Sequence, residues 1–332
     1  MRFKILDMNK KFNLITKKET SVIFYELNEM PEKVLFYYVK KFPNSNFSKL
    51  LKNSAYFQTI VKEDRHLHPW SVWPSVHRGV SSKKHKINFI NQNKSKSSSY
   101  PPLWEIISNS KKNVGVHGSL QSYPPFINKN IKFYLPDTFS PDSKAYPKEL
   151  SYLQEFNLYL IKVSQGIQIL SFYKIIKLLS RIIKNKEIKI STVLKIFFHY
   201  INSKLFCKFV RRRSIFQTSI TFDSYIKNLE KNNLVFSSYF TNHLAGMMHR
   251  YWKDLFPKSF DEVSYIPSKF NSNSILLAMK EADYHVGKLM KYADEHNSNL
   301  LLISGMGQDK RIRDQYLGEL QFTDFKKFNK II

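Results

Sequence analysis

The 332-residue chain holds a single cysteine, Cys207. No intrachain disulfide can form, which excludes the disulfide-stapled scaffolds and fits a reducing compartment. Long apolar runs are missing as well. No stretch approaches the roughly 18 residues that a membrane-spanning helix needs. The basic N-terminus MRFKILDMNKKFNLITKKE lacks the apolar core of a secretory signal. The expected location is the cytoplasm, with peripheral association to the inner membrane left open. Acidic residues are scarce: 26 Asp and Glu stand against 53 Lys and Arg, a formal net charge of +27.

Two readings of that charge stay open. An excess so large suits anionic partners: a small molecule, a glycan or a phospholipid surface. Nucleic acid is the weaker partner, since no nucleic-acid-binding motif accompanies the charge. The chain is also crowded with Lys, Asn, Ile, Phe and Tyr, as an AT-rich genome dictates, and Lys is then the default surface residue. Hydrophobic residues make up 42%, enough for a sizeable core.

Short apolar runs recur between helical stretches. Val22–Tyr25 reads as a strand buried on both faces. Residues 31–41 read as a helix with Pro31 in its first turn. Leu50 to Ile60 offers a helix end and a short strand. Residues 69–79 read as a Pro/Trp loop, and 91–99 as a solvated low-complexity loop. Leu103 to Ser110 looks helical and leads into a strand at Val114–His117. Leu234 to Phe240 is a further strand, Ser274 to His296 a long helix, and Leu300–Ile303 a last strand. Strand, helix, strand at this spacing predicts crossover units and a parallel sheet. The expected fold is α/β, a three-layer α/β/α sandwich. Its expected parts are a basic lead-in (1–20), a first core segment (21–146), a basic helical insertion acting as a cap (147–230) and a second core segment (231–332).

Polar clusters stand at three of these strand ends, where open α/β sheets bind ligands. VIFYELNEM, HPWSVWPSVHRG, FTNHLAGMMHRYW and LLISGMGQD follow one another in an order and spacing that resembles the alkaline-phosphatase superfamily. The likeness is to its type I phosphodiesterase and nucleotide-pyrophosphatase branch, and there to a divergent bacterial group associated with surface-polysaccharide genes. It covers about residues 21–140 and 234–309. The resemblance implies an enzyme that cleaves or transfers phosphate or sulfate esters with two divalent metals and a Thr, Ser or modified Cys nucleophile. It also implies further chain after the last motif, so this copy is expected to be shortened.

Carried over position by position, the pattern is depleted. The first-strand carboxylate falls at Glu26, with Asn28 beside it. The nucleophile falls at Val72, which cannot attack, leaving Ser71 or Ser75 as replacements. The ligands after the middle strand fall at Asn242 and His249, with His243 an extra candidate. In the late motif Gly305 and Met306 stand where the family has Asp and His. One divalent metal, zinc or manganese, held by Glu26, His243 and His249 is the most that the donors allow, and a two-metal site is not expected.

Each cluster also has a plainer reading. Glu26, Asn28 and Glu29 form a ligand site or a polar turn in which Glu29 caps the next helix. Trp70, Trp73, Ser75 and His77 form a sugar-stacking pocket, with Arg78 near an anion, or a loop that only packs. Asn242, His243 and His249 bind metal or substrate, or serve structure. Ser304, Gln308 and Asp309 present donors, or make a glycine-rich turn. Arg211–Arg213 with the Lys-rich helices before it meets an anionic membrane or is a solvated face. Three functions follow: an ester hydrolase or transferase with Glu26, Ser71, Ser75 and His249 as its catalytic groups, a non-cleaving pocket for an anionic sugar or nucleotide, or a membrane-surface or scaffold protein.

Overall fold

The computed structural model describes residues 20–61, 67–90, 92, 94, 99–164, 171–185, 187–260 and 264–310. Five strands form one all-parallel sheet in the order β3-β2-β4-β1-β5. They are β1 (Ser21–Leu27), β2 (Val114–His117), β3 (Ile131–Leu135), β4 (Phe236–Thr241) and β5 (Ser298–Ile303). Parallel neighbours need crossovers, and helices supply them on both faces.

Side chains along β1 alternate between two cores, as the two-residue period requires. Ile23, Tyr25 and Leu27 join the large core with Phe133, Leu135 and Tyr239. On that face lie α1 (Glu32–Lys41), α2 (Asn46–Asn53), α6 (Leu150–Ser164), α9 (Arg213–Lys231), α10 (His243–Leu255) and α11 (Lys269–His296). Val22 and Phe24 point the other way, toward Val114, Val116, Ile131 and Phe236, under Trp104 of α5 (Leu103–Asn109). Helix layers on both sides of the sheet make the three-layer α/β/α sandwich.

Two readings of the first core segment change. Among the described residues the stretch after α2 forms no strand, only a single bridge residue at Gln58. Residues 69–79 are not a loop: Pro69–Arg78 is a helix, α3, followed by the short α4 (Ser82–His85). Pro69 occupies the first turn, where its missing N–H costs nothing, and Gly79 closes the helix at φ 65°.

The stretch 147–230 contains α6, α7 (Phe172–Lys184), α8 (Ile190–Leu205), the 3-10 turn Cys207–Arg212 and most of α9. Its outer members, α6 and α9, belong to the main core. α6 buries Leu153 and Phe156 there, and α9 buries Ile220, Phe222, Tyr225 and Leu229. Only α7 and α8 stand outside the layer that covers the sheet. No helix among the described residues is long and apolar enough to cross a membrane. The basic lead-in and most of the loop 91–99 lie outside the described residues.

Candidate functional site: a closed strand-end network beside an arginine-lined cavity

β1, β4 and β5 present their carboxyl ends side by side, and most of the residues singled out in the sequence meet there. Asn28, buried, is the hub. Its Oδ1 accepts the Trp73 indole N–H at 2.7 Å. Its amide donates to Asn242 Oδ1 at 2.7 Å and to Glu29 Oε1 at 3.1 Å. Glu29 lies at φ 59°, and its other oxygen meets His249 Nε2 at 2.9 Å. The Ser304 carbonyl accepts the Glu29 N–H at 3.1 Å, which ties the β5 turn to the β1 turn. The buried members, Asn28, Glu29 and the Trp73 indole N–H, are paired within the protein, while Asn242 and His249 keep exposed edges.

Trp73 fills the middle. A β-carbon on Gly305 would stand 2.8 Å from Trp73 Cε2, and Gly305 adopts φ 70°. Only glycine fits that turn against the indole. Where the resemblance expects a metal-binding aspartate, the chain has a residue without a side chain and a tryptophan ring laid over it.

Glu26 takes no part in that network. It is fully buried, and its Oε1 accepts from His77 Nε2 at 2.8 Å. Its Oε2 has no hydrogen-bond partner. His77 is itself buried, stacked between Trp73 and Trp104. Arg78 donates to the Tyr100 carbonyl. This is a packed polar pair between β1 and α3, not a surface for substrate.

The replacement nucleophiles are also committed. Ser71 donates to the His68 carbonyl at 3.1 Å, inside the first turn of α3. Ser75 sits 2.9 Å from His85 Nε2, which resembles a Ser–His dyad. The proton pattern is wrong for one. His85 Nδ1 accepts the Ile87 N–H at 3.0 Å, so the neutral ring carries its proton on Nε2 and donates it to Ser75. The Ser75 hydroxyl then donates to the Ser71 carbonyl at 3.0 Å. A general base must take the serine proton, and here the imidazole gives one.

His243 is no freer. Its Nδ1 lies 2.7 Å from Thr241 Oγ1, and its Nε2 lies 3.0 Å from the Ala278 carbonyl. Nε2 must therefore donate, and Nδ1 accepts from the threonine. Burial, with His285 close by, holds this imidazole neutral and pulls its pKa down to about 3. Glu26, His243 and His249 have three different sets of partners and do not share a ligand position. Among the described residues, no group of three or more His, Cys, Asp and Glu side chains is placed to hold a metal ion. Trp70 packs edge-on against Phe139, with ring centroids 4.7 Å apart. Gln308 keeps a buried Oε1 without a hydrogen-bond partner among the described residues.

The open space lies one strand over. A cavity of about 570 Å³ sits at the carboxyl ends of β2, β3 and β4, roofed by α6, α9 and the 3-10 turn before α9. Its volume is that of a small-molecule site. Arg211, Arg213 and Arg250 line it, and no lining residue is acidic. Arg213 is half-buried and makes no hydrogen bond or ion pair among the described residues. Burial lowers its pKa from the ordinary guanidinium value, the mark of a desolvated cation without a counterion. The N-terminus of α10 faces the same space through Asn242, His243 and Gly246. Asn242 caps that helix without a side-chain bond, because its oxygen is engaged by Asn28. The helix start therefore offers backbone N–H groups and a positive dipole end to the cavity. Asn157, Ser214 and Gln217 add amide and hydroxyl groups to the wall.

The sequence reading put Asn242 and His243 at a strand end, where they now border this cavity, took Arg213 as part of a membrane-facing run, and did not single out Arg250 or the α6 residues. The signal for Arg250 was Gly246 four residues before it, which leaves the arginine room to lie back along the helix toward the cavity. Nothing in the sequence separated Arg213 from its two neighbours. Arg212 turns away, stacked on Phe270 at 3.7 Å and bonded to Ser274 and the Phe270 carbonyl. Comparison with known proteins adds no identity: no family model matches the chain, and no curated protein or solved structure does so either.

Proposed function

We propose that the protein binds a small anionic, hydroxylated ligand, a sugar phosphate or a nucleotide, in the cavity at the ends of β2, β3 and β4, and does not cleave it. The observation that carries this reading is Arg213: a half-buried guanidinium with no hydrogen bond or ion pair among the described residues, in a cavity whose described lining has two more arginines and no carboxylate. A phosphate there would meet planar cationic donors and a helix N-terminus, the two devices proteins use for that group. The amides and hydroxyls of Asn157, Ser214 and Gln217 suit the hydroxyls of a sugar. Against cleavage stand the commitments of Ser71 and Ser75 and the tautomer of His85.

Titration calorimetry of the purified chain with glucose 1-phosphate, uridine diphosphate and free glucose tests the reading. The two phosphate esters bind and free glucose does not. Arg213→Met weakens binding by about 10- to 100-fold, the worth of roughly 1.5–3 kcal/mol for a hydrogen bond to a charged group. Equal affinity for free glucose, or an unchanged affinity in Arg213→Met, refutes the anion site. Release of inorganic phosphate from either ester, scaling with protein and lost with Ser75→Ala, refutes the non-cleaving part.

A further inference from the structure

Helix α8 is amphipathic in the wrong sense for a helix packed on a globular core. Ile190, Leu194, Phe197, Phe198, Ile201 and Leu205 recur every three or four residues and share one face. That face points outward: Ile190 is 79% exposed, Phe198 60% and Leu205 67%. Three polar residues point inward. Lys195 reaches Ser219 Oγ at 2.9 Å and Glu281 Oε2 at 2.5 Å. Thr192 is buried, and His199 is stacked on Phe216 at 3.9 Å. Neighbouring α7 repeats the arrangement on a smaller scale, burying Leu178 and Ile182 and exposing Tyr173, Ile176 and Ile183. Contiguous apolar surface of this kind marks a contact with something.

Charge selects the occupant. Across residues 171–212 the chain has eleven Lys and Arg and one acidic residue, Glu187. Glu187 is buried and bonded to Ser224 and Lys227. Lys195 and Arg212 are used inside the fold, Arg211 lines the cavity, and Arg181 and Lys189 meet Glu155 and Asp223. Lys177, Lys184, Lys204 and Lys208 are exposed beside the apolar face. Two copies meeting through this face would bring like charges together. At 1.5 Å per residue, the sixteen residues of α8 run about 24 Å, shorter than the roughly 30 Å hydrocarbon core of a bilayer.

We propose that α8, with the exposed side of α7, docks the protein onto an anionic membrane surface. The helix lies in the plane of the headgroups, its aromatic and aliphatic face in the acyl boundary and the surrounding lysines against lipid phosphates. This surface is separate from the arginine-lined cavity, and its test does not involve the cavity.

Co-sedimentation of the full chain with vesicles of pure phosphatidylcholine, and of phosphatidylcholine with 30% phosphatidylglycerol, reads the interaction. The chain pellets with the anionic vesicles at low salt, at least tenfold more than with the neutral ones, and is released as salt rises. The double variant Phe197→Ser, Phe198→Ser loses binding at every salt concentration, and Lys177→Glu with Lys204→Glu loses it at low salt. All four side chains lie on outward positions of their helices, so circular dichroism melting of these variants matches the parent. If the phenylalanine pair fails to fold, Leu194→Asn takes its place. Absence of pelleting with anionic vesicles, or unchanged pelleting of the serine variant, overturns the proposal. So does a stable dimer that the serine variant converts to monomer without any vesicle binding, which would make the face a contact between copies.

Discussion

Replacing Gly305 by alanine tests whether Trp73 and the β5 turn are one fitted unit. The new β-carbon would lie 2.8 Å from Cε2 and 2.9 Å from Cζ2 of the indole. Carbon atoms pack best at about 3.5–4.0 Å, so the ring must retreat by about 1 Å. It has little freedom to do so. The indole N–H is tethered to Asn28 at 2.7 Å, His77 stacks on one face and Phe240 meets it edge-on. Overpacking of a well-filled core costs about 1–3 kcal/mol. A side chain at the φ of 70° found here adds about 1–2 kcal/mol. Gly305→Ala should therefore cost about 2–5 kcal/mol, read as a lowered urea midpoint with an unchanged slope in far-ultraviolet circular dichroism. The second arm separates the two contributions. In a Trp73→Phe background the six-membered part of the indole is gone, so the clash is relieved and only the backbone strain of about 1–2 kcal/mol remains. A cost below about 0.5 kcal/mol in the parent, or the same cost in both backgrounds, refutes the fitted unit.

Acid should destabilise the fold through its buried histidines. Burial pulls His117 and His243 down to about 3 and His199 down to about 4, the last with help from Arg213 and Arg212. Above the ordinary histidine value of about 6.5 both folded and unfolded chains are neutral at these rings and no penalty exists. As pH falls below it, the unfolded chain takes up protons that the folded chain refuses, so stability drops by up to about 1.4 kcal/mol per pH unit per ring until the folded values are reached. Urea midpoints at pH 7, 6 and 5 should fall steadily, and His117→Phe, which removes one such ring, should flatten the slope. A midpoint independent of pH over that range contradicts the burial of these rings. Ser75→Ala should leave ligand affinity unchanged within twofold while costing about 0.5–1.5 kcal/mol, because it removes the hydroxyl that meets His85 Nε2 and the Ser71 carbonyl. Asn28→Ala removes the acceptor of Trp73 and the donor to Asn242 together, and should cost more than Asn242→Ala in the same unfolding assay, since it leaves a buried indole N–H unpaired.

Much of the sheet was legible because buried parallel strands announce themselves. Val22–Tyr25, Val114–His117 and Leu300–Ile303 are short apolar runs ending in polar or glycine turns, and all lie in strands. β3 escaped because IKFYL carries Lys132 on an edge strand, where a charged residue is tolerated at the outer side. α3 was misread because two prolines in ten residues look like a loop. Pro69 fits a first turn, and Pro74 forfeits only the single bond its N–H would have made, while Val72, Trp73 and His77 bury the same helix face. The site was legible in part. Strand-end logic put Asn28 and Asn242 just after β1 and β4 and His249 on the helix that follows, which is where they lie. It could not show that Asn28 and Asn242, 214 residues apart, spend their amides on each other. Pairing between distant positions is decided by packing, which a single sequence does not display.

Both groups of strand ends in this sheet follow the same rule of place, and they differ in how their polar groups are satisfied. At β1, β4 and β5 the buried groups, the Asn28 amide, the Trp73 indole N–H and the Glu29 carboxylate, are matched by partners from the protein. Those buried groups are spent on one another, and opening the network would expose a buried indole N–H and an amide at about 1–3 kcal/mol each. At β2, β3 and β4 the balance is reversed. The helix start is uncapped because Asn242 serves the closed network, and Arg213 is desolvated without a counterion. Asn242 thus links the two regions: closing the first leaves the N–H groups of α10 available to the second. Severing the Asn28–Asn242 bond would let Asn242 turn back and cap its own helix, in competition with any anion bound there.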